Sequence, residues 1–220
     1  MHRCNLRKDD GSLTVSDKDK AEVLNSFFSS VFTREDLSNM PAFEDKTDVK
    51  LSEIVVSEDM ICKKLENLDI SKSCGPDNIH PRLLKELSGQ LCVPLKILFE
   101  KSMKEGKLPS CWKRAEVKPL FKKGDKSSPG NYRPVSLTSI VCKVFESLVR
   151  DQLNKHLIEN GLLSKHQYGF TAGRSCTTQL LSTLYDWLKH LDEKEPIDAI
   201  YLDLQKAFDK VSHARLLFKL

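Results

Sequence analysis

A chain of 220 residues with a formal net charge of +4, 40% hydrophobic and 30% charged residues, suffices for one ordinary domain or part of a larger one and has a soluble protein's composition. It contains no run of 18 apolar residues, so no transmembrane helix is expected, and residues 1–8 lack the apolar core of a secretory signal. Seven cysteines lie no closer than 12 positions apart and form no C-x-x-C pair. This argues against a zinc site and, for an odd count without a signal, in favour of reduced thiols in the cytoplasm or nucleus.

The charge is unevenly placed. Residues 101–133 hold ten basic side chains against three acidic ones, a local +7, which leaves about −3 for the rest. Such a block suits a polyanion, although a solvated lysine-rich surface accounts for the charge equally well.

In chain order, residues 1–15 are polar and read as a loose end. Residues 17–32 put Leu24, Phe27, Phe28, Val31 and Phe32 on one stripe, an amphipathic helix capped by Ser16 or Asp17 with its stripe expected in the core. Residues 35–52, aperiodic and interrupted by Pro41, read as a linker. A helix from Ser57 through Leu68 turns Ile61, Leu65 and Leu68 inward. The breaker-rich KSCGPDNI of residues 72–79 is a turn. Pro81 then opens a helix through Leu87, and another spans residues 91–103 before Gly106.

Residues 115–121 and 131–137 pattern as strands around the polar turn KKGDKSSPG. Pro119 and Pro134 each remove a ladder donor, which demands edge or irregular strands. Basic residues at the tip and on the return strand can reach over a bound triphosphate, Arg as a forked donor and Lys as a point charge. Residues 138–157 read as a long helix with Val141, Val144, Phe145, Leu148 and Gln152 along one face; His156 and His190 read as surface. In QYGFTAGRSC, residues 167–176, two glycines permit close backbone approach, Arg174 offers a donor fork, and Ser175 caps a helix whose start favours an anion. A purely structural glycine turn is the alternative. The helix that follows is expected to bury Leu180, Leu181, Leu184, Leu188 and Leu191.

In residues 197–204, Ile200, Leu202 and Leu204 alternate with Tyr201 and Asp203, the pattern of a half-buried strand, and residues 206–211 look helical. A carboxylate at a strand end beside a turn is placed to hold a hard divalent cation; the competing reading of Asp203 is a helix cap.

AIYLDLQKAFDKVSH resembles the first catalytic-aspartate motif of reverse transcriptases, in the AFD form typical of LINE-type (non-LTR) retrotransposons and group II intron enzymes. PLFKKGD with NYRPVSL resembles their fingers hairpin, and QYGFTAGRS their Q-x-GF-x-x-GRS motif. KSCGPDNI resembles the amino-terminal extension of LINE-type, jockey-like enzymes, except that proline is commoner where Cys74 stands. The resemblance covers residues 17–220.

It implies an α+β, helix-rich chain: residues 1–56 an amino-terminal extension with one helix and a linker, 57–114 a helical extension, 115–196 the fingers, and 197–220 the start of the palm of a right-hand polymerase, truncated, with an unpaired strand edge after Leu204. The implied reaction is RNA-templated DNA synthesis on a DNA primer from deoxynucleoside triphosphates, with two Mg²⁺ ions in the complete enzyme. By resemblance Asp203 bridges both ions and the Leu204 carbonyl is a further ligand. Lys122 or Lys123, and Arg133, contact the incoming nucleotide. Phe208 fills the space a 2′-hydroxyl would need. Gln167, Gly169, Phe170 and Arg174 position template or nucleotide, and Asp209 supports without ligating.

The family's aromatic-x-Asp-Asp motif does not occur in these residues. One carboxylate cannot hold two ions alone, so these residues are not expected to polymerise by themselves. No endonuclease-like segment precedes them, so autonomous transposition is not expected either. No membrane partner and no secretion are expected. The alternatives are a noncatalytic nucleic-acid-binding remnant, a poorly folded translated relic, and, more distantly, an RNA-templated RNA polymerase.

Overall fold

The computed structural model describes residues 4–33, 37–42, 44, 46–204 and 206–220. Helices dominate the described residues: α1 (Asp17–Val31), α2 (Glu58–Glu66), α3 (Pro81–Glu86), α4 (Ser88–Glu105), α5 (Ile140–Glu159), α6 (Cys176–Asp192) and α7 (His213–Lys219). One antiparallel hairpin, β1 (Ala115–Phe121) and β2 (Tyr132–Thr138), makes the chain α+β.

The core is local chemistry brought together. Ser57 stands extended before α2 and its hydroxyl accepts the Met60 N–H at 3.2 Å, with Glu58 and Asp59 in the first turn. Pro81 opens α3, where its missing N–H costs nothing. α4 follows without a loop and starts earlier than residue 91, because its first turn continues directly from Leu87. Ile61, Leu65, Phe99 and Leu148 are almost wholly buried, and Leu84, Leu95, Val141 and Val144 pack around them. Phe99 stacks on Phe145 with 4.9 Å between centroids, and Trp112 lies 5.9 Å from both rings. Each such side chain removed from water contributes about 1.5–3 kcal/mol. The Lys64–Asp151 ion pair links α2 to α5, and Lys96–Glu58, at 3.4 Å, links α4 to α2. Both are partly exposed, so they guide register more than they stabilise.

β1 and β2 pair from Ala115–Thr138 to Phe121–Tyr132. Beyond them the Lys122 N–H donates to the Asn131 carbonyl at 2.8 Å. Bonded and non-bonded pairs alternate along an antiparallel ladder, so Pro119 faces Pro134 in a non-bonded pair, where neither needs a donor. In a two-stranded sheet both are edge strands, as their prolines require.

Several expectations are corrected. Residues 4–15 are no loose end: Leu6 and Thr14 are buried and Arg7 bridges to Leu13, while residues 1–3 lie outside the described residues. The stripe of α1 is not core throughout, since only Leu24 is buried and Phe32 is exposed. The leucines of α6 are all exposed, because among the described residues no element covers that face. Residues 197–204 form no strand: no partner strand supplies a ladder, and Leu202 stays 90% exposed. The linker read over residues 35–52 includes 35, 36, 43 and 45, which lie outside the described residues; the others have no regular structure.

Candidate functional site

The β1–β2 loop, residues 122–131, is closed by its own polar groups. The Asp125 carboxylate accepts the Ser127 N–H at 2.8 Å and its hydroxyl at 2.6 Å, and the Asp125 carbonyl accepts from Asn131 Nδ2 at 2.9 Å. These Ser127 bonds, with Arg7 nearby, hold Asp125 below the ordinary carboxylate range. Gly124 has φ +90°, and a Cβ there would stand 2.8 Å from Asn131 Nδ2, so only glycine fits. The Tyr132 hydroxyl donates to the Lys126 carbonyl at 2.7 Å, and Phe121 meets Tyr132 edge-to-face at 5.5 Å. Lys126 lies 5.6 Å over the Phe121 ring.

The register sorts the cations. Side chains alternate between faces and cross-strand pairs share one, so Arg133, paired with Leu120, lies on the same face as Lys118 and Lys122. All three are exposed. Lys118 was not singled out from sequence, although strand alternation places it there. Lys123 is also exposed, in the loop.

The loop of residues 164–175 folds around Arg174. Its guanidinium donates to the carbonyls of Lys165 and Gln167 and lies 5.1 Å over the Tyr168 ring. Gln167 Nε2 donates to the Gly169 carbonyl at 2.8 Å, and the Thr171 hydroxyl to the Gln167 carbonyl at 3.1 Å. The donor fork of Arg174 is thus engaged by its own loop. Ser175 caps α6 in a reciprocal capping box with Thr178. Phe170, at φ +59°, meets Phe208 edge-to-face with 6.0 Å between centroids. That contact brings the glycine loop and the AFD stretch together.

Asp203 and Leu204 are exposed in the unpaired segment. No hydrogen bond, ion pair or ring contact among the described residues joins Asp203 to the hairpin. The carboxylate and the Leu204 carbonyl are two hard oxygen donors of the kind Mg²⁺ takes, fewer than two ions need. Residues 206–210 are turns rather than the expected helix; Lys206 has φ +55° and stands 4.4 Å over the Phe27 ring of α1. α7 begins only at His213, capped by the Ser212 hydroxyl. His190 lies exposed at the end of α6, 2.6 Å from Glu195.

The described residues thus carry a helical body, a basic hairpin, a glycine loop and a carboxylate-bearing stretch in that chain order. Residues 121–220 match the family described as reverse transcriptase (RNA-dependent DNA polymerase). The chain is 28% identical over 224 residues to the probable RNA-directed DNA polymerase from transposon BS of Drosophila melanogaster, covering 97% of this chain and 24% of that protein. The corresponding enzyme from transposon X-element of the same fly is 27% identical, covering 96% and 24%. The RNA-directed DNA polymerase from its mobile element jockey is 29% identical over 156 residues, covering 70% and 17%. The resemblance read from the motifs, to jockey-like non-LTR elements, is therefore carried by nearly the whole chain. The chain spans about a quarter of the length of the first two relatives.

Proposed function

We propose that these residues are the fingers and the beginning of the palm of an RNA-directed DNA polymerase from a non-LTR retrotransposon, residues 1–114 being its amino-terminal extension. The observation that carries the reading is the order NYRPVSL, QYGFTAGRS, LDLQKAFD, with the second and third motifs in contact through Phe170 and Phe208. On this reading an RNA template, a DNA primer and deoxynucleoside triphosphates are the partners. Lys122, Lys123 and Arg133, with Lys118 on the same face, hold the triphosphate or the template backbone. Phe208 stands beneath the sugar. Gln167, Gly169 and Phe170 form the positioning loop, and Arg174, bound to the Lys165 and Gln167 carbonyls, acts by keeping that loop in shape.

Asp203, with the Leu204 carbonyl, supplies hard oxygen donors for Mg²⁺. When bound, the ions supply activation of the primer hydroxyl and charge stabilisation on the phosphates. The exposed leucines of α6 and the unpaired residues 197–204 suit a longer protein in which further palm elements cover them. An odd number of cysteines with no C-x-x-C pair suits reduced thiols in the cytoplasm or nucleus; no helix among the described residues is long and apolar enough to cross a membrane.

The second reading, a nucleic-acid-binding remnant, is favoured by one observation: the basic hairpin is fully formed, whereas Asp203 stands on an unpaired segment. Asp203→Asn separates the two. In the longest open frame containing these residues, the variant should lose primer extension by about 10³-fold or more and keep its RNA affinity. Extension by the variant at the unsubstituted rate would sink the catalytic assignment. A frame that binds RNA but extends no primer with Asp203 in place would leave the binding reading.

A further inference from the structure

The amino-terminal residues form a closed hairpin that grips the loop bearing Lys122 and Lys123. Thr14 is fully buried at its centre. Its hydroxyl oxygen accepts the Leu6 N–H at 2.8 Å, and its own N–H donates to the Leu6 carbonyl at 2.8 Å. The Lys8 N–H donates to the Ser12 carbonyl at 2.8 Å, and the Asp10 carboxylate accepts the Ser12 N–H and hydroxyl at 2.8 and 2.6 Å. The outer edge of this hairpin is bonded to the loop. The Arg7 N–H donates to the Ser127 carbonyl at 2.8 Å, and the Arg7 guanidinium lies 3.8 Å from the Asp125 carboxylate. α1 then runs past the same loop, its Phe27 ring 3.5 Å from where a Cβ on Gly130 would stand. A groove of about 780 Å³ remains between hairpin, helix and residues 128–130.

A lysine-bearing loop on a two-stranded ribbon has few neighbours to hold it still. Here an element more than a hundred positions away supplies a backbone hydrogen bond in the middle of that loop. We infer that residues 6–14 are a positioning element: by fixing the backbone at Ser127 they hold the 122–131 loop in one shape and so set where Lys122 and Lys123 meet a polyanion. This rests on the proposed reading in which those lysines contact phosphates. It adds that their affinity is partly preorganisation, conferred by a segment that touches no substrate.

The test titrates a labelled single-stranded RNA into the 220-residue chain at several salt concentrations and follows amide exchange in the same samples. Thr14→Val keeps the side-chain shape but removes the oxygen that the Leu6 N–H needs. The expected result has three parts. Exchange at the Arg7, Ser127 and Asn131 amides speeds up about tenfold while α2, α4 and α5 are unmoved. RNA affinity falls about five- to tenfold at every salt concentration. The slope of log affinity against log salt stays the same, because every phosphate contact is still made.

A Lys122→Ala/Lys123→Ala double variant should instead flatten that slope by about one to one and a half. A Thr14→Val chain whose loop loosens with no loss of affinity overturns the inference. A double variant with unchanged slope and affinity overturns the phosphate reading itself, and the inference with it. If Thr14→Val also speeds exchange throughout α2, α4 and α5, Asp10→Ala at the exposed turn decides: weaker RNA binding at unchanged slope supports the inference, and unchanged affinity overturns it.

Discussion

Gly75 lies directly against Ser139: a Cβ on Gly75 would stand 2.6 Å from the Ser139 backbone nitrogen and 2.5 Å from the Thr138 carbonyl carbon. The KSCGPDNI turn is therefore seated on the junction where β2 ends and α5 begins, and both partners are buried. A glycine is needed there for closeness and not for an unusual φ.

Gly75→Ala is expected to force backbone apart at that junction. Overpacking of this kind costs about 1–3 kcal/mol, which at this chain length lowers Tm by about 2–4 °C per kcal/mol. Gly89 in α4 is the control: a Cβ there meets nothing within 4 Å, so Gly89→Ala should leave Tm unchanged or raise it slightly. Thermal melts of the two variants side by side check this. Equal destabilisation would mean that the Gly75 contact is not tight in solution.

Gln152 is a second non-local tie. Its side-chain amide grips the Val55 peptide on both sides, Oε1 accepting the Val55 N–H at 2.9 Å and Nε2 donating to the Val55 carbonyl at 2.7 Å. This docks the segment leading into α2 on α5 and places Val56 in the core. Gln152→Met keeps the length and loses both bonds, with an expected cost of about 1–2 kcal/mol. Limited proteolysis within residues 46–56 should accelerate while cleavage elsewhere does not. An unchanged digestion pattern would show that the grip contributes nothing.

The core helices and the hairpin were legible because their signals are local. Ser57 and Pro81 mark starts, and Pro119 and Pro134 announce edge strands. Periodicity in α5 named Val141, Val144, Phe145 and Leu148, all of which are buried. Helical periodicity in α6 and strand alternation in residues 197–204 misled, because a pattern tells which face is apolar but not whether anything covers it. The amino-terminal hairpin was illegible for the opposite reason. Its buried centre is a threonine held by hydrogen bonds, and its partner loop lies more than a hundred positions away. At the candidate site, Arg174 read as a free donor fork, yet its own loop engages it. Lys118 needed only the register to join Lys122 and Arg133 on one face.

The thiols should divide sharply. Cys92 and Cys142 are buried, and burial pushes their thiols up to about 11 and about 12, with Cys62 adding to the first and Glu146 to the second. Cys4, Cys111 and Cys176 are exposed. Since the thiolate is the nucleophile, iodoacetamide at pH 8 should alkylate the exposed three first and reach Cys92 and Cys142 only after denaturant is added. Mass spectrometry of timed digests reads the order. Early labelling of Cys142 would mean that the start of α5 opens readily.

Among the described residues three Asp-x-Ser turns recur, at Asp10, Asp69 and Asp125, and in each the carboxylate accepts both the N–H and the hydroxyl of the serine two residues on. Those bonds favour the ionised form and lower all three carboxyls from their ordinary value of 3.8. A lowered pKa in the folded chain gives a stabilisation that is fully present above the ordinary value and is lost as pH falls through the lowered one. The three turns should therefore be unchanged from neutral pH down to about 5, and should open only below the ordinary carboxylate range. Carboxyl carbon titration by NMR should place all three midpoints below 3.8. Ser127→Ala should move Asp125 back toward that value while Asp10 and Asp69 stay where they are, because each turn is closed by its own serine. If Asp125 does not move, the lowering rests on the backbone N–H of residue 127 and on Arg7, and Arg7→Gln tests the second of these.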